Sequence, residues 1–135
     1  MIRGNRGAGC PIIDAQIRYH ALNGVTHPSG SIPFMRIKAL VDTGATNVVT
    51  TPAIVKALGL PFAAKIDHTV VGGFSTVDAY ACDLVIGENS AVGFTVTDCL
   101  VLEATLTGYD AIIGWDALRF VTLAFAKNGD FTISW

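Results

Sequence analysis

Asp42, Thr43 and Gly44 are the residues of this chain whose types and order best suit chemistry. They follow the apolar run 39–41 directly, and because aspartate is a poor strand residue, Asp42 marks the end of that strand. A carboxylate placed there can take or give a proton. Gly44 lets a backbone or a ligand approach closely, and the Thr43 hydroxyl can fix the loop by hydrogen bonding. On these three residues alone, an Asx turn that merely ends the strand is the simpler interpretation.

A second site chemistry uses overlapping residues. Asp42, Gly44 and Thr46 match the Asp-x-Gly-x-Thr hairpin that cradles phosphate in the actin and sugar-kinase ATPases. Those ATPases need two large lobes and a second phosphate loop, which a single domain of 135 residues cannot supply. A phosphate site is therefore disfavoured.

The cysteines and histidines predict neither a metal nor a cofactor. Cys10, Cys82 and Cys99 are odd in number and far apart, which argues against a disulfide framework. No Cys-x-x-Cys or Cys/His spacing suggests zinc. The three histidines are scattered, and none lies beside a plausible nucleophile. We interpret all six residues as ordinary strand or loop residues with no catalytic or metal-binding role.

Length and composition predict one folded, cytoplasmic domain. The chain has 135 residues, of which 51% are hydrophobic and 15% charged, the reverse of a disordered chain. No apolar run approaches the roughly 20 residues of a membrane helix, and the start lacks the apolar stretch of a secretory signal. The net charge is −2 and no basic cluster is interleaved with aromatic residues, so neither a membrane nor a nucleic acid is an expected partner.

The first half of the chain predicts a tail, two strands and a helix. Residues 1–9 are rich in glycine and arginine and predict a flexible tail before a domain over 10–135. This start also fits a processing site in a longer precursor, although a frayed terminus is the simpler interpretation. Residues 13–21 and 35–41 alternate with period two and predict an antiparallel pair. Thr51 as cap, Pro52 as first residue and Gly59 as stop predict a helix.

The second half predicts short strands joined by tight turns. Gly72-Gly73 separates strands at 66–71 and 77–86, and Asn128-Gly129 separates strands at 121–126 and 131–135. Further elements are expected as strands at 94–102 and 111–113 and a short helix at 115–120. The predicted fold is mostly β, a closed barrel-like body with one or two short helices.

Four segments in order resemble the retropepsin-like aspartic proteases, the family of the retroviral proteases and their relatives. They are PIID at 11–14, ALVDTGAT at 39–46 with its helix ending ALGL at 57–60, VGGF at 71–74, and YDAIIGWDAL at 109–118. Asp-Thr-Gly alone is a weak signal, but the ordered set at these spacings in a short chain is fairly specific. The resemblance covers about residues 10–135 and implies the closed acid-protease barrel.

The resemblance implies a role for each residue of the loop. Asp42 would be the catalytic carboxylate. Thr43 would bridge two active-site loops through its hydroxyl, Gly44 would leave its carbonyl near a bound peptide, and Ala45 would pack beside the carboxylates. The chain carries one such motif, whereas the site needs two carboxylates, so the resemblance implies a homodimer acting on a peptide or protein.

Two further groups of residues acquire roles in the same way. Gly72 and Gly73 would form the tip of a mobile flap that closes over substrate, with Phe74 lining or bracing it. Ile112, Ile113 and Gly114 would pack beneath the Asp42 loop, and ordinary core packing is an equally good interpretation of these three. The function implied is that of an aspartic endopeptidase. A dimeric peptide-binding module with the same fold and little hydrolysis remains the alternative.

Two departures concern the support of the dimer. The retroviral enzymes often carry an acidic residue after Asp-Thr-Gly-Ala and an arginine after the later glycine, and these positions here are Thr46 and Trp115. That ion pair cannot form, so stacking by Trp115 or a hydrogen bond from Thr46 is expected instead. The Asn128-Gly129 hairpin also predicts a terminal arrangement unlike the interleaved termini of the retroviral chains.

Overall fold

The computed structural model describes residues 1–135, except the side chains of His68 and Val70. The elements, in chain order, are β1 (Ile2–Asn5), β2 (Ile12–Tyr19), a 3-10 turn (Leu22–Gly24), β3 (Phe34–Val41), β4 (Val48–Thr50), α1 (Pro52–Leu58), β5 (Phe62–Val70), β6 (Gly73–Ile86), β7 (Phe94–Glu103), β8 (Ala111–Ile113), α2 (Trp115–Leu118), β9 (Thr122–Phe125) and β10 (Asp130–Ser134).

Six strands close into a barrel. Their order is β2-β3-β8-β4-β7-β6, and β6 pairs back onto β2, so that the sheet has no free edge at this point. Strand β5 pairs with β6 outside the closed circuit and forms a long hairpin with it. The prediction of a mostly β, closed barrel with one or two short helices is confirmed.

The segments with clear periodicity fold as predicted. Strands β2 and β3 pair antiparallel, with Ile17 opposite Met35. Helix α1 begins after Thr51, whose hydroxyl oxygen accepts a hydrogen bond from the Ile54 N–H at 3.4 Å, and ends at Gly59 with a φ of 60°. Inward-facing aliphatic side chains of the barrel strands form the core, and α1 adds Ile54, Val55 and Leu58 to it.

Two elements differ from the prediction. Residues 2–5 form strand β1 instead of a flexible tail, and they pair antiparallel with β10. The reason is packing: a Cβ on Gly4 would lie 2.7 Å from the Phe131 ring, so the glycine allows the two strands to approach. Strand β4 was not predicted. It has only three residues and side chains on both of its faces are largely buried, so its sequence lacks the alternation of apolar and polar residues that indicates a strand.

Strands β1, β10 and β9 form a second sheet, in the order β1-β10-β9, which is not hydrogen-bonded to the barrel sheet. The hairpin predicted around Asn128-Gly129 is confirmed, with Thr132 opposite Ala124. Both ends of the described chain therefore pair within one protomer. No helix of the described residues is long and apolar enough to cross a membrane.

Candidate active site

Asp42 lies where strand β3 ends. The parallel pairing of β3 with β8 places Val41 opposite Ile113, and the Asp42 N–H donates to the Ile113 carbonyl oxygen at 3.1 Å. The Asp42 Oδ1 accepts a hydrogen bond from the Gly44 N–H at 2.8 Å, and the Ala45 N–H donates to the Asp42 carbonyl oxygen at 3.1 Å. The half-buried carboxylate is therefore held at one oxygen by its own turn.

The other loop residues surround this carboxylate. Thr43 and Gly44 are exposed, whereas Ala45 is partly buried. A Cβ on Gly44 would lie 3.2 Å from the Asp42 Oδ1, closer than an ordinary contact, so glycine keeps this approach open. The hydrogen bond from the Gly44 N–H to the Asp42 Oδ1 forms an Asx turn and also orients the carboxylate. An Asx turn at this position is therefore compatible with a catalytic role for Asp42.

The segment after β8 supports the loop from below. The Trp115 N–H donates to the Ala45 carbonyl oxygen at 2.9 Å, and the Asp116 N–H donates to the Thr46 carbonyl oxygen at 3.0 Å. A Cβ on Gly114 would lie 2.5 Å from the Asn47 carbonyl oxygen and 2.7 Å from that of Ala45. Only glycine fits at position 114, because these are backbone atoms that cannot turn away.

A side-chain pair that the sequence analysis missed completes this support. The Asn47 Nδ2 donates to the Asp116 Oδ2 at 2.9 Å, across the same junction between loop and helix α2. Neither a Trp115 stack nor a Thr46 side-chain hydrogen bond is present among the described contacts, and Trp115 is half exposed. No local pattern of the sequence points to this pair, because Asn47 and Asp116 lie 69 positions apart.

Ile113 and Ile112 differ in their relation to the loop. Ile113 is fully buried, so its side chain packs in the core. Its carbonyl oxygen accepts a hydrogen bond from the Asp42 N–H and so helps to position Asp42. Ile112 is partly buried and pairs with Leu40 and Val49, one on each neighbouring strand. Gly114, Ile113 and residues 42–45 are therefore brought together by one strand pairing.

The glycine hairpin has no described hydrogen bond to this loop within the protomer. Gly73 pairs with Val70, and Gly72 and Gly73 have φ values of 92° and 145° that suit glycine. Phe74 is 80% exposed, and no described hydrogen bond joins the tip to residues 42–45. The three predicted flap residues therefore lie together at an exposed tip of the β5–β6 hairpin.

Two cross-strand contacts brace the stem of this hairpin. The Lys65 Nζ donates to the Asp78 Oδ1 at 2.9 Å, and this hydrogen bond raises the pKa of Lys65. The Thr76 hydroxyl donates to the Asp67 Oδ1 at 3.0 Å on the same pair of strands. Side-chain polar contacts therefore tie the stem of the hairpin.

The family of the chain follows from a comparison with family models. The model described as aspartyl protease matches residues 29–117, about two thirds of the chain, and the match includes Asp42 and Gly114. The chain belongs to the aspartyl protease family. No curated protein sequence matches it at a significant level.

Solved structures show which fold this aspartyl protease chain has. A retropepsin-like aspartic protease from Rickettsia conorii superposes with a TM-score of 0.63 at 18% identity, over 99% of this chain and 89% of that one. An EIAV protease complexed with the inhibitor HBY-793 has a TM-score of 0.46 at 22% identity, over 87% and 92%. The retroviral protease-like domain of Ddi1 from Leishmania major has a TM-score of 0.42 at 17% identity, over 73% and 85%. The fold of the chain is the retropepsin fold.

The described residues contain no group of three or more histidine, cysteine and acidic side chains that could hold a metal ion.

Proposed function

We propose that this chain is an aspartic endopeptidase that hydrolyses peptide bonds as a homodimer. One observation carries the proposal: an aspartyl protease chain holds a single Asp-Thr-Gly carboxylate at the end of a barrel strand, and its own turn and helix α2 fix the loop around it. The matched family gives the reaction class, and the local geometry gives an oriented carboxylate to perform it.

Two copies of the chain are required by the chemistry. Hydrolysis by carboxylates alone needs an acid and a base on opposite sides of one water molecule. Two carboxylates about 3 Å apart cannot both ionise, so they share one proton and titrate as a pair. Each chain supplies one Asp42, and a two-fold axis beside the loop brings the second one into place.

The proton transfers in this pair balance in two steps. The ionised carboxylate takes a proton from the water as its oxygen attacks the peptide carbonyl carbon, while the protonated carboxyl gives its proton to the carbonyl oxygen. The tetrahedral gem-diol then collapses: the carboxyl that took the proton from water gives it to the amide nitrogen, and the C–N bond breaks. A hydroxyl of the gem-diol returns its proton to the ionised carboxylate, which leaves a carboxylic acid, an amine and the pair again with one proton. The Gly44 N–H donates to Oδ1 of Asp42 and so orients the carboxylate, and both oxygens keep lone pairs for these transfers.

The exposed hairpin tip suits the role of a flap. Its glycines permit the change of backbone angles that closure needs, and its stem is tied by polar contacts that would carry the tip as a unit. A peptide lying between the tip and the Asp42 loop would add β-type hydrogen bonds to both. Phe74 would then exchange its solvent exposure for contact with the peptide.

The test is cleavage of a peptide library by the purified protein from acidic to neutral pH, read by mass spectrometry. Asp42→Asn is expected to lower the cleavage rate at least about 100-fold, because general acid–base catalysis is lost. Asp14→Asn, a surface carboxylate paired with Lys38, is the matched control and is expected to cleave like the parent. Equal cleavage by Asp42→Asn would refute the proposal. Binding of peptides with no new fragments would favour the binding module instead.

A further inference from the structure

A cavity of about 300 Å³ opens beside Asp42 and has no role in the proton transfers. Three parts of the chain form its walls. The N-terminal segment contributes Arg6 and Cys10, the loop contributes Asp42 and Thr43, and strand β9 contributes Phe125. A substrate group next to the reacting peptide bond would enter this cavity, since one of its walls is the reacting carboxylate.

Arg6 is fixed in the wall by three contacts. Its backbone N–H donates to the Gly129 carbonyl oxygen at 2.9 Å, and its Nη1 donates to the Gly9 carbonyl oxygen at 3.0 Å. Its guanidinium carbon lies 5.9 Å from the centre of the Phe125 ring, within the range of a cation–π contact. The side chain is therefore positioned before any ligand arrives, which lowers the entropic cost of binding.

The charge of Arg6 is not neutralised within the protomer. The ion pairs among the described side chains involve His20, Lys38 and Lys65, and none involves Arg6. A guanidinium has five N–H donors in a planar fork, and the described side-chain contacts to oxygen use one nitrogen of it. Free donors in this geometry match the two oxygens of a carboxylate.

We propose that this cavity is a specificity pocket, in which Arg6 selects peptides that carry an acidic side chain beside the cleaved bond. This assignment rests on the proposed peptidase function, which it deepens by naming the substrate class. The guanidinium binds the carboxylate of an aspartate or glutamate, and the Phe125 ring packs against its methylene groups. A lysine at the same substrate position is repelled.

The preference depends on pH in a defined direction. A glutamate side chain has an ordinary pKa of about 4.3, so it loses its charge, and with it the attraction to Arg6, as the pH falls below that value. The other ionisable groups on the cavity walls are the Asp42 carboxyl and the Cys10 thiol. A matched glutamine substrate has no such titration, so the ratio of the two rates isolates the contribution of the substrate carboxylate.

The experiment uses peptide pairs that differ only by glutamate or glutamine at each residue flanking a cleaved bond, chosen from the library digest. The parent protein is expected to show about tenfold higher kcat/KM for the glutamate member at pH 6, the scale of one charge-assisted hydrogen bond. The ratio should approach one below pH 4. Arg6→Gln is expected to abolish the ratio, and Arg6→Glu to favour lysine. Arg3→Gln removes the same charge from the N-terminal segment outside the cavity and should keep the ratio.

Binding of the same peptides to Asp42→Asn, followed by fluorescence anisotropy, separates the two proposals. If the parent cleaves no peptide of the library, glutamate and glutamine versions of the library peptides that bind are compared instead. An Arg6-dependent preference for glutamate among them means that the peptidase function fails and the pocket assignment stands. Cleavage without a glutamate preference overturns the pocket while the peptidase function stands. If Arg6→Gln lowers kcat/KM equally for the glutamate and the glutamine peptide, the pocket assignment is wrong. It is also wrong if the peptides are neither cleaved nor bound.

Discussion

At the scale of single residues, Asp42 is oriented by a residue of its own loop and by one backbone carbonyl that is distant in sequence. The Gly44 N–H holds one oxygen, and the Ile113 carbonyl holds the Asp42 N–H. Gly114 then lets the next helix approach the loop so closely that two backbone N–H groups reach it. The hydrogen atom in place of a side chain at position 114 is as important to the site as the carboxylate.

We therefore predict that Gly114→Ala destabilises the protein by about 1–3 kcal/mol, the usual cost of an overpacked site that must shift backbone atoms. The added Cβ would lie 2.5 Å from the Asn47 carbonyl oxygen. Urea unfolding measures the change, and peptide cleavage measures the displacement of the loop. Gly9→Ala serves as the control for stability, because its Cβ would meet nothing closer than 3.8 Å. Equal stability of both variants would contradict the steric explanation.

The three thiols should differ sharply in reactivity. Cys10 is exposed, whereas Cys82 and Cys99 are buried opposite each other on β6 and β7. The hydrogen bond between the Cys82 and Cys99 side chains favours the protonated Cys82 thiol and, together with burial, raises its pKa well above its ordinary value, so little of the reactive thiolate forms. We expect iodoacetamide at pH 8 to modify Cys10 alone in the folded protein and all three in urea. Mass spectrometry of the intact parent protein and of Cys10→Ser counts the modified thiols. Rapid modification of Cys82 in the folded protein would contradict the prediction.

At the scale of elements, strand β1 is tied to β10 by a carboxylate at the start of β10. The Asp130 Oδ1 accepts a hydrogen bond from the Asn5 Nδ2 at 2.8 Å, and the Asp130 Oδ2 accepts one from the Asn128 Nδ2 at 2.9 Å. These two hydrogen bonds lower the pKa of Asp130, with that from Asn5 the larger cause. A lowered pKa in the folded state means that the contribution to stability is present above the ordinary value. It is lost as the pH falls through the lowered one.

Asn5→Ala is expected to raise the pKa of Asp130 toward its ordinary value of 3.8. Strand β1 should be looser than in the parent above the ordinary pKa, and its hydrogen exchange should no longer follow the protonation of Asp130, because the hydrogen bond that links β1 to this carboxyl is gone. Carboxyl chemical shifts in an NMR titration report the pKa, and amide hydrogen exchange of β1 reports the loosening. Asn89→Ala, in the turn between β6 and β7, is the control and should move neither.

The elements that could be predicted from the sequence are those whose information is local. Period-two alternation specifies β2 and β3, and the cap, proline and glycine of α1 lie within its own few residues. Strand β1 could not be predicted, because its stability comes from packing of Gly4 on Phe131, a residue at the other end of the chain. The loop at 42–45 was predictable for the same local reason as α1. Its support by Asn47 and Asp116 was not, because a contact between residues so far apart leaves no periodic signal.

At the scale of the whole molecule, the protomer holds half of the proposed reacting unit. Mixing the parent with Asp42→Asn in equal amounts should therefore leave about a quarter of the activity of the same total amount of parent, as expected for random pairing of subunits. Rates over a dilution series and sedimentation velocity of the same mixtures measure activity and pairing together. Dilution with Asp14→Asn is the control and should leave the rate unchanged. A fall to one half would indicate that each chain works alone.

The pairing of the first strand with the last also determines when the cavity beside Asp42 can exist. Ile2 lies opposite Ile133, and Arg6 takes its position from Gly129 and Phe125, residues that the ribosome adds more than a hundred positions later. Contacts so distant in sequence form late in folding, after the local hairpins and the barrel. The Asp42 loop itself needs Ile113, Trp115 and Asp116 for its backbone hydrogen bonds, so the cavity wall at Phe125 is completed only after that support. Discrimination between peptides by the proposed pocket would begin only after strands β9 and β10 have been synthesised and have paired.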